Sequence, residues 1–182
     1  MKSVLKSTLF AALAIAGLSF TSCQTDKCKS TLPCANNGVC NASDGSCTCP
    51  TGYEGPRCET TTRDKFKGSW NVIEDGSISN AENYTISVEN GVAIDEVIIR
   101  NFNNFSNGLV TAKVYLDTLI IPAQQMEQDG EIKTVEGKGY FMFEEIYGLH
   151  GKLELKYRVT DKDGIINDYG YRGAGAPSSW LK

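Results

Sequence analysis

The sequence predicts a mainly β protein in two parts, a small disulfide-stapled module followed by a larger antiparallel β-domain. Three observations carry this. Six of the seven cysteines crowd between Cys28 and Cys58, and the residues beyond hold none. Asn-Gly or Asp-Gly pairs, which favour tight hairpin turns, begin at Asp75, Asn90, Asn107, Asp129 and Asp163. The runs between them are rich in β-branched and aromatic residues and alternate apolar with polar positions.

The N-terminus has the pattern of an exported chain. Lys2 and Lys6 precede a mostly apolar run from Leu9 to Phe20. That run is shorter than the ~20 residues a membrane-spanning helix needs, and it suits a signal peptide over residues 1–22. Phe20-Thr21-Ser22-Cys23 resembles a bacterial lipobox in its looser, Bacteroidetes-type form. The resemblance implies that Cys23 carries the lipid (palmitate among its acyl chains) and begins the mature chain, with 23–27 as a tether. Gln24 stands where an Asp would imply inner-membrane retention, so the outer membrane or the cell surface is expected. The alternative is an ordinary secretory signal, with Cys23 free or paired between chains. No second apolar stretch is long enough to span a bilayer, so anchoring to the membrane is expected, not threading through it. Without the signal, 16 basic and 22 acidic residues leave a net charge of −6. Nucleic acid is not expected as a partner, because neutralising phosphates requires a basic face.

Residues 28–58 form the module. Its six cysteines allow many pairings. Zinc is the competing use, but zinc sites favour close cysteine pairs, only Cys47 and Cys49 are close, and export favours disulfides. Two stretches, Pro33 to Cys40 and Cys47 to Cys58 with Gly52, Tyr53 and Gly55, resemble an epidermal growth factor-like (EGF-like) domain. The resemblance implies the bridges Cys28–Cys40, Cys34–Cys47 and Cys49–Cys58. So short a segment cannot bury enough apolar area to offset its chain entropy, so it depends on its bridges. Tyr53 is its expected packing anchor. No calcium site is expected, since Asn41 to Ser46 holds no aromatic residue. The module is either a rigid spacer or a recognition unit.

A polar linker, 59–65, leads to the β-domain, 66–182. The alternation predicts eight strands, at 66–74, 82–89, 94–102, 109–116, 118–123, 131–143, 151–160 and 165–172. Short links favour an antiparallel meander closed into a barrel, with a β-sandwich as the alternative. Gly68-Ser69-Trp70 resembles the G-x-W motif that opens the first strand of lipocalins and related calycins. The nearest likeness is to the short lipocalin-like domains of Bacteroidetes lipoproteins. The resemblance implies that Trp70 closes the barrel floor and that Arg172 packs over its ring. Trp70, Tyr84, Tyr157, Tyr169 and Arg172 are therefore the candidate residues of a ligand pocket or floor.

No catalytic constellation is evident, and neither an enzyme, a cofactor nor a metal is expected. The one histidine, His150, sits in a turn, as do the acidic pairs Glu144-Glu145 and Asp161/Asp163. Asp117-Thr118-Leu119 resembles an O-glycosylation motif of Bacteroidetes exported proteins. The expected function is a lipid-anchored cell-envelope binding or interaction module, its partner unknown. The alternative is a carrier of a small apolar ligand within the barrel. An apolar cavity of about 300 Å3 or more would favour the carrier, and a filled interior would oppose it.

Overall fold

The computed structural model describes residues 26–29, 32–143 and 151–182. The expected leader, Cys23, Glu144, Glu145 and His150 lie outside the described residues.

The module consists of turns and two minimal ladders. β1 (Val39–Cys40) pairs with β2 (Cys47–Thr48), and β3 (Tyr53–Glu54) with β4 (Thr60–Thr61). Disulfides join Cys28 to Cys40, Cys34 to Cys47, and Cys49 to Cys58. Cys58 is the one fully buried apolar side chain among the described residues of the module, and Tyr53 is only half-buried. The bridges therefore take the place of a core. Replacing Cys34 and Cys47 together with Ser is expected to destabilise the module by about 2–4 kcal/mol. Amide exchange should accelerate across the module and stay unchanged in the β-domain; uniform acceleration in both would contradict this. The stretch after Cys58 is more ordered than a linker. β4 belongs to the module's second ladder, and Thr62–Lys65 forms a single 3-10 turn.

The β-domain is a closed antiparallel barrel. Its strands are β5 (Gly68–Glu74), β6 (Glu82–Asn90), β7 (Glu96–Arg100), β8 (Leu109–Tyr115), β9 (Thr118–Gln128), β10 (Glu131–Met142), β11 (Lys152–Thr160), β12 (Ile166–Tyr169) and β13 (Ser178–Leu181). Consecutive strands from β5 to β11 pair as neighbours; β13 then pairs with both β11 and β5, closing the ring. Closure rules out the sandwich, and among the described strands of the barrel only β12 pairs on a single side.

The eighth staves of the barrel are β12 and β13 together. β12 lies against the C-terminal end of β11, with Arg158 opposite Asp168, and β13 against its N-terminal end, with Leu155 opposite Ser178. The expected eighth strand at 165–172 thus ends at Tyr169, and closure falls to Ser178–Leu181. Residues 170–177 loop out between the halves. Gly170, Gly173 and Gly175 have positive φ, and a Cβ on Gly175 would stand 2.1 Å from the Asp168 carbonyl oxygen. The buried Asp168 carboxylate anchors the loop by accepting the N–H groups of Tyr171 and Arg172.

β9 runs past its expected end at residue 123. Pro122 has no N–H to offer the ladder, and the strand absorbs it in a bulge opposite Glu136, where the register with β10 shifts between Val135 and Gly137. The Gln124 side chain fills the gap toward β8: its Oε1 accepts from the Thr111 N–H at 2.9 Å and its Nε2 donates to the Thr111 carbonyl at 2.6 Å.

Aromatic and branched side chains fill the interior. Trp70, Trp180, Tyr157, Phe66 and Phe102 are its largest fully buried members. Gly137 on β10 makes room for this packing, since a Cβ there would lie 2.5 Å from that of Tyr157.

Candidate functional site

The two ends of the barrel differ. At the floor, Trp70 Nε1 donates to the Phe66 carbonyl at 2.7 Å, and its ring meets Trp180 and Phe141, each at 6.3 Å between centroids. The cation over Trp70 is Lys182, with Nζ 5.1 Å from the ring centroid. Burial holds the Lys182 ammonium below its ordinary pKa. Arg172 does not occupy this place, contrary to the expectation. It sits exposed in the 170–177 excursion, which leaves the wall before the strand reaches the floor. The chain returns as β13, whose end delivers Lys182.

The module docks at this same end. Lys65 Nζ bridges Glu54 of β3, at 2.9 Å, and Asp117 of the β8–β9 turn, at 2.6 Å. Arg63 donates to the carbonyls of Gly91 and Ala93 in the β6–β7 loop. Gly52 lies so close to Ile94 that a Cβ there would meet Cγ2 at 2.6 Å.

The other end, the mouth, holds a polar cluster. Three of the sequence-predicted residues, Tyr84, Tyr157 and Tyr169, converge here, and Trp70 and Arg172 do not join them. Their hub is Glu74, only 5% exposed. Glu74 Oε1 accepts from the Tyr84 hydroxyl at 2.7 Å and Asn103 Nδ2 at 3.2 Å. Oε2 accepts from the Tyr157 hydroxyl at 2.9 Å and Ser178 Oγ at 2.7 Å. Trp180 Nε1 in turn donates to Ser178 Oγ, and Asn103 Nδ2 shares its two hydrogens between Glu74 and the Tyr157 and Tyr169 hydroxyls, 2.9 and 2.8 Å away. The Tyr157 and Tyr169 rings stack at 4.2 Å. Donors thus run inward to one carboxylate, whose roughly four lone-pair sites they fill.

Burial, and then the neighbouring Glu74 charge, push Tyr84 and Tyr157 well above the ordinary tyrosine pKa of 10.0. Both hydroxyls stay protonated and donate at neutral pH. This contribution to stability is fully present below the ordinary tyrosine range and is lost as the pH rises past it.

Asn103 reaches the hub because the β7–β8 loop folds into the barrel. Asn101, Asn103 and Asn104 all adopt left-handed φ, a conformation Asn tolerates well. The loop drives Phe102 inward, to 4.9 Å from Tyr157 and 6.5 Å from Trp180 between centroids. Phe102 therefore plugs the mouth from above.

Outside this plug lies a cleft of about 200 Å3, open to solvent. Asn103, Gln128, Lys133, Asp161, Ile165 and Asn167 are among its lining.

Sequence reasoning had not singled out Glu74, Asn103, Ser178 or Gln128. Glu74 was within reach, because it shares the inward parity of Trp70 and Val72 on β5. Gln128 was not: strict alternation from Leu119 and Ile121 would turn it outward, and the Pro122 bulge reverses the parity.

Residues 32–61 match the family model of the teneurin-like EGF domain. The match ends with β4, the last strand of the module's second ladder. The chain therefore carries an EGF-like domain on the floor of an eight-stranded barrel.

Proposed function

We propose that this chain is an exported recognition protein, held at the cell envelope by a lipid on Cys23. The EGF-like module is the stalk between anchor and barrel, and the setting is the bacterial outer membrane or surface. Partner binding, not catalysis, is the activity. The observation that carries recognition over carriage is the filled interior, where Trp70, Trp180, Tyr157 and Phe102 occupy the space an apolar ligand would need. Docking of the module at the floor supports the orientation, since the mouth faces the other way.

Mass spectrometry of the mature protein tests the anchor. The expected N-terminal peptide begins at Cys23 with acyl chains attached, and Cys23→Ser should move the protein from the detergent phase to the aqueous phase. An unmodified N-terminus elsewhere, or Cys23 in a disulfide, would overturn the reading.

A further inference from the structure

The mouth cleft contains a polar group with no internal purpose. Gln128 is only 7% exposed, yet its Oε1 is fully buried without a hydrogen-bond partner among the described residues. An unsatisfied buried acceptor destabilises a fold, and such groups call for an explanation. Lys133 faces Met126 across the hairpin, on the inward side of β10, and forms no ion pair among the described residues. Both side chains line the same cleft.

Its remaining walls are fixed. Asn103 and Asn167 both donate their amide nitrogens to the Tyr169 hydroxyl. Asp161 Oδ1 accepts the N–H groups of Asp163 and Ile165. The cleft is thus preorganised, which lowers the ordering cost of binding. At about 200 Å3 it corresponds to roughly seven water volumes of ~30 Å3. That is room for one compact ring and not for an acyl chain.

We propose that the barrel mouth binds a small polyhydroxylated carboxylate, the size of a single acidic sugar ring. Lys133 pairs with its carboxylate. The Gln128 amide donates through Nε2 to one hydroxyl oxygen, and a turn about its last torsion brings the buried Oε1 to accept from a second. Asp161 accepts a hydrogen bond from a further hydroxyl. The proposal goes beyond the anchoring reading and does not depend on it, because the mouth is formed by the barrel alone.

The test is calorimetric titration of the full mature chain with glucuronate and with glucose, alongside NMR of the Gln128 side-chain amide. Glucuronate should bind saturably and shift that amide, and glucose should bind about tenfold more weakly, the loss of one charge-assisted bond. Gln128→Leu should weaken glucuronate about tenfold or more while leaving Tm unchanged or higher, since it removes an unsatisfied buried group. Lys133→Gln should abolish the preference for the acid over glucose. The same results with Cys23→Ser would separate this site from the anchor. The proposal is overturned if neither sugar binds, if glucose binds as well as glucuronate, or if Gln128→Leu lowers Tm and leaves affinity intact.

Discussion

Replacing Glu74 with Ala is expected to destabilise the barrel by about 3–5 kcal/mol, a loss typical of breaking a buried polar network. The substitution removes the acceptor and leaves its donors in place. The Tyr84 and Tyr157 hydroxyls, Ser178 Oγ and Asn103 Nδ2 would all lose their shared partner inside the barrel. The effect spreads because these donors come from distant segments. Tyr84 lies on β6, Asn103 on the β7–β8 loop, Tyr157 on β11 and Ser178 at the start of β13. Denaturant unfolding of the wild type and variant, followed by tryptophan fluorescence, measures the loss. Glu74→Gln is the sharper control. It preserves shape, but points an amide N–H at groups that are themselves donors, so it should remain clearly destabilising. Near-wild-type stability for Glu74→Gln would contradict the assignment of Glu74 as the acceptor shared by Tyr84, Tyr157, Ser178 and Asn103.

The same hub marks the boundary of what the sequence made legible. Alternation located the walls, because a strand with one face buried must repeat with period two. Tyr84, Ile86 and Val88 on β6, and Leu153, Leu155, Tyr157 and Val159 on β11, do so. The rule fails where the backbone leaves the regular strand. The Pro122 bulge reverses which side chains of β9 point inward, and so hides Gln128. The excursion at 170–177 splits one wall in two, and so moves the floor cation from Arg172 to Lys182. Asn103 is hidden differently. Three left-handed asparagines in a loop read as turn chemistry, and only the packed barrel shows that the turn folds inward. Cysteine spacing was the opposite case, because dense cysteines closed into three bridges constrain the chain whatever its strands do.

Trp70→Ala is expected to cost a further class of energy, about 3–5 kcal/mol for a large aromatic removed from a packed core. Trp70 is only 1% exposed. Its removal opens a void against Trp180 and Phe141, orphans the Phe66 carbonyl and strips Lys182 of its ring. Two further variants separate these losses. Trp70→Phe keeps much of the aromatic packing and loses the N–H, so its cost over wild type reports chiefly on the Phe66 bond. Lys182→Ala removes the cation alone and should cost only about 0.5–2 kcal/mol, the range for a cation–π contact. The series also bears on carriage. In a hollow barrel Trp70 would line a pocket, its truncation would enlarge that pocket, and stability would fall little. In the filled barrel described here the three variants should rank Trp70→Ala, Trp70→Phe, Lys182→Ala in decreasing cost. A Trp70→Ala barrel that kept wild-type stability while gaining affinity for an apolar probe would return the interior to the carrier reading. A steep loss would leave the mouth and outer faces as the recognition surfaces, because a core that cannot spare one ring has no space to lend a ligand.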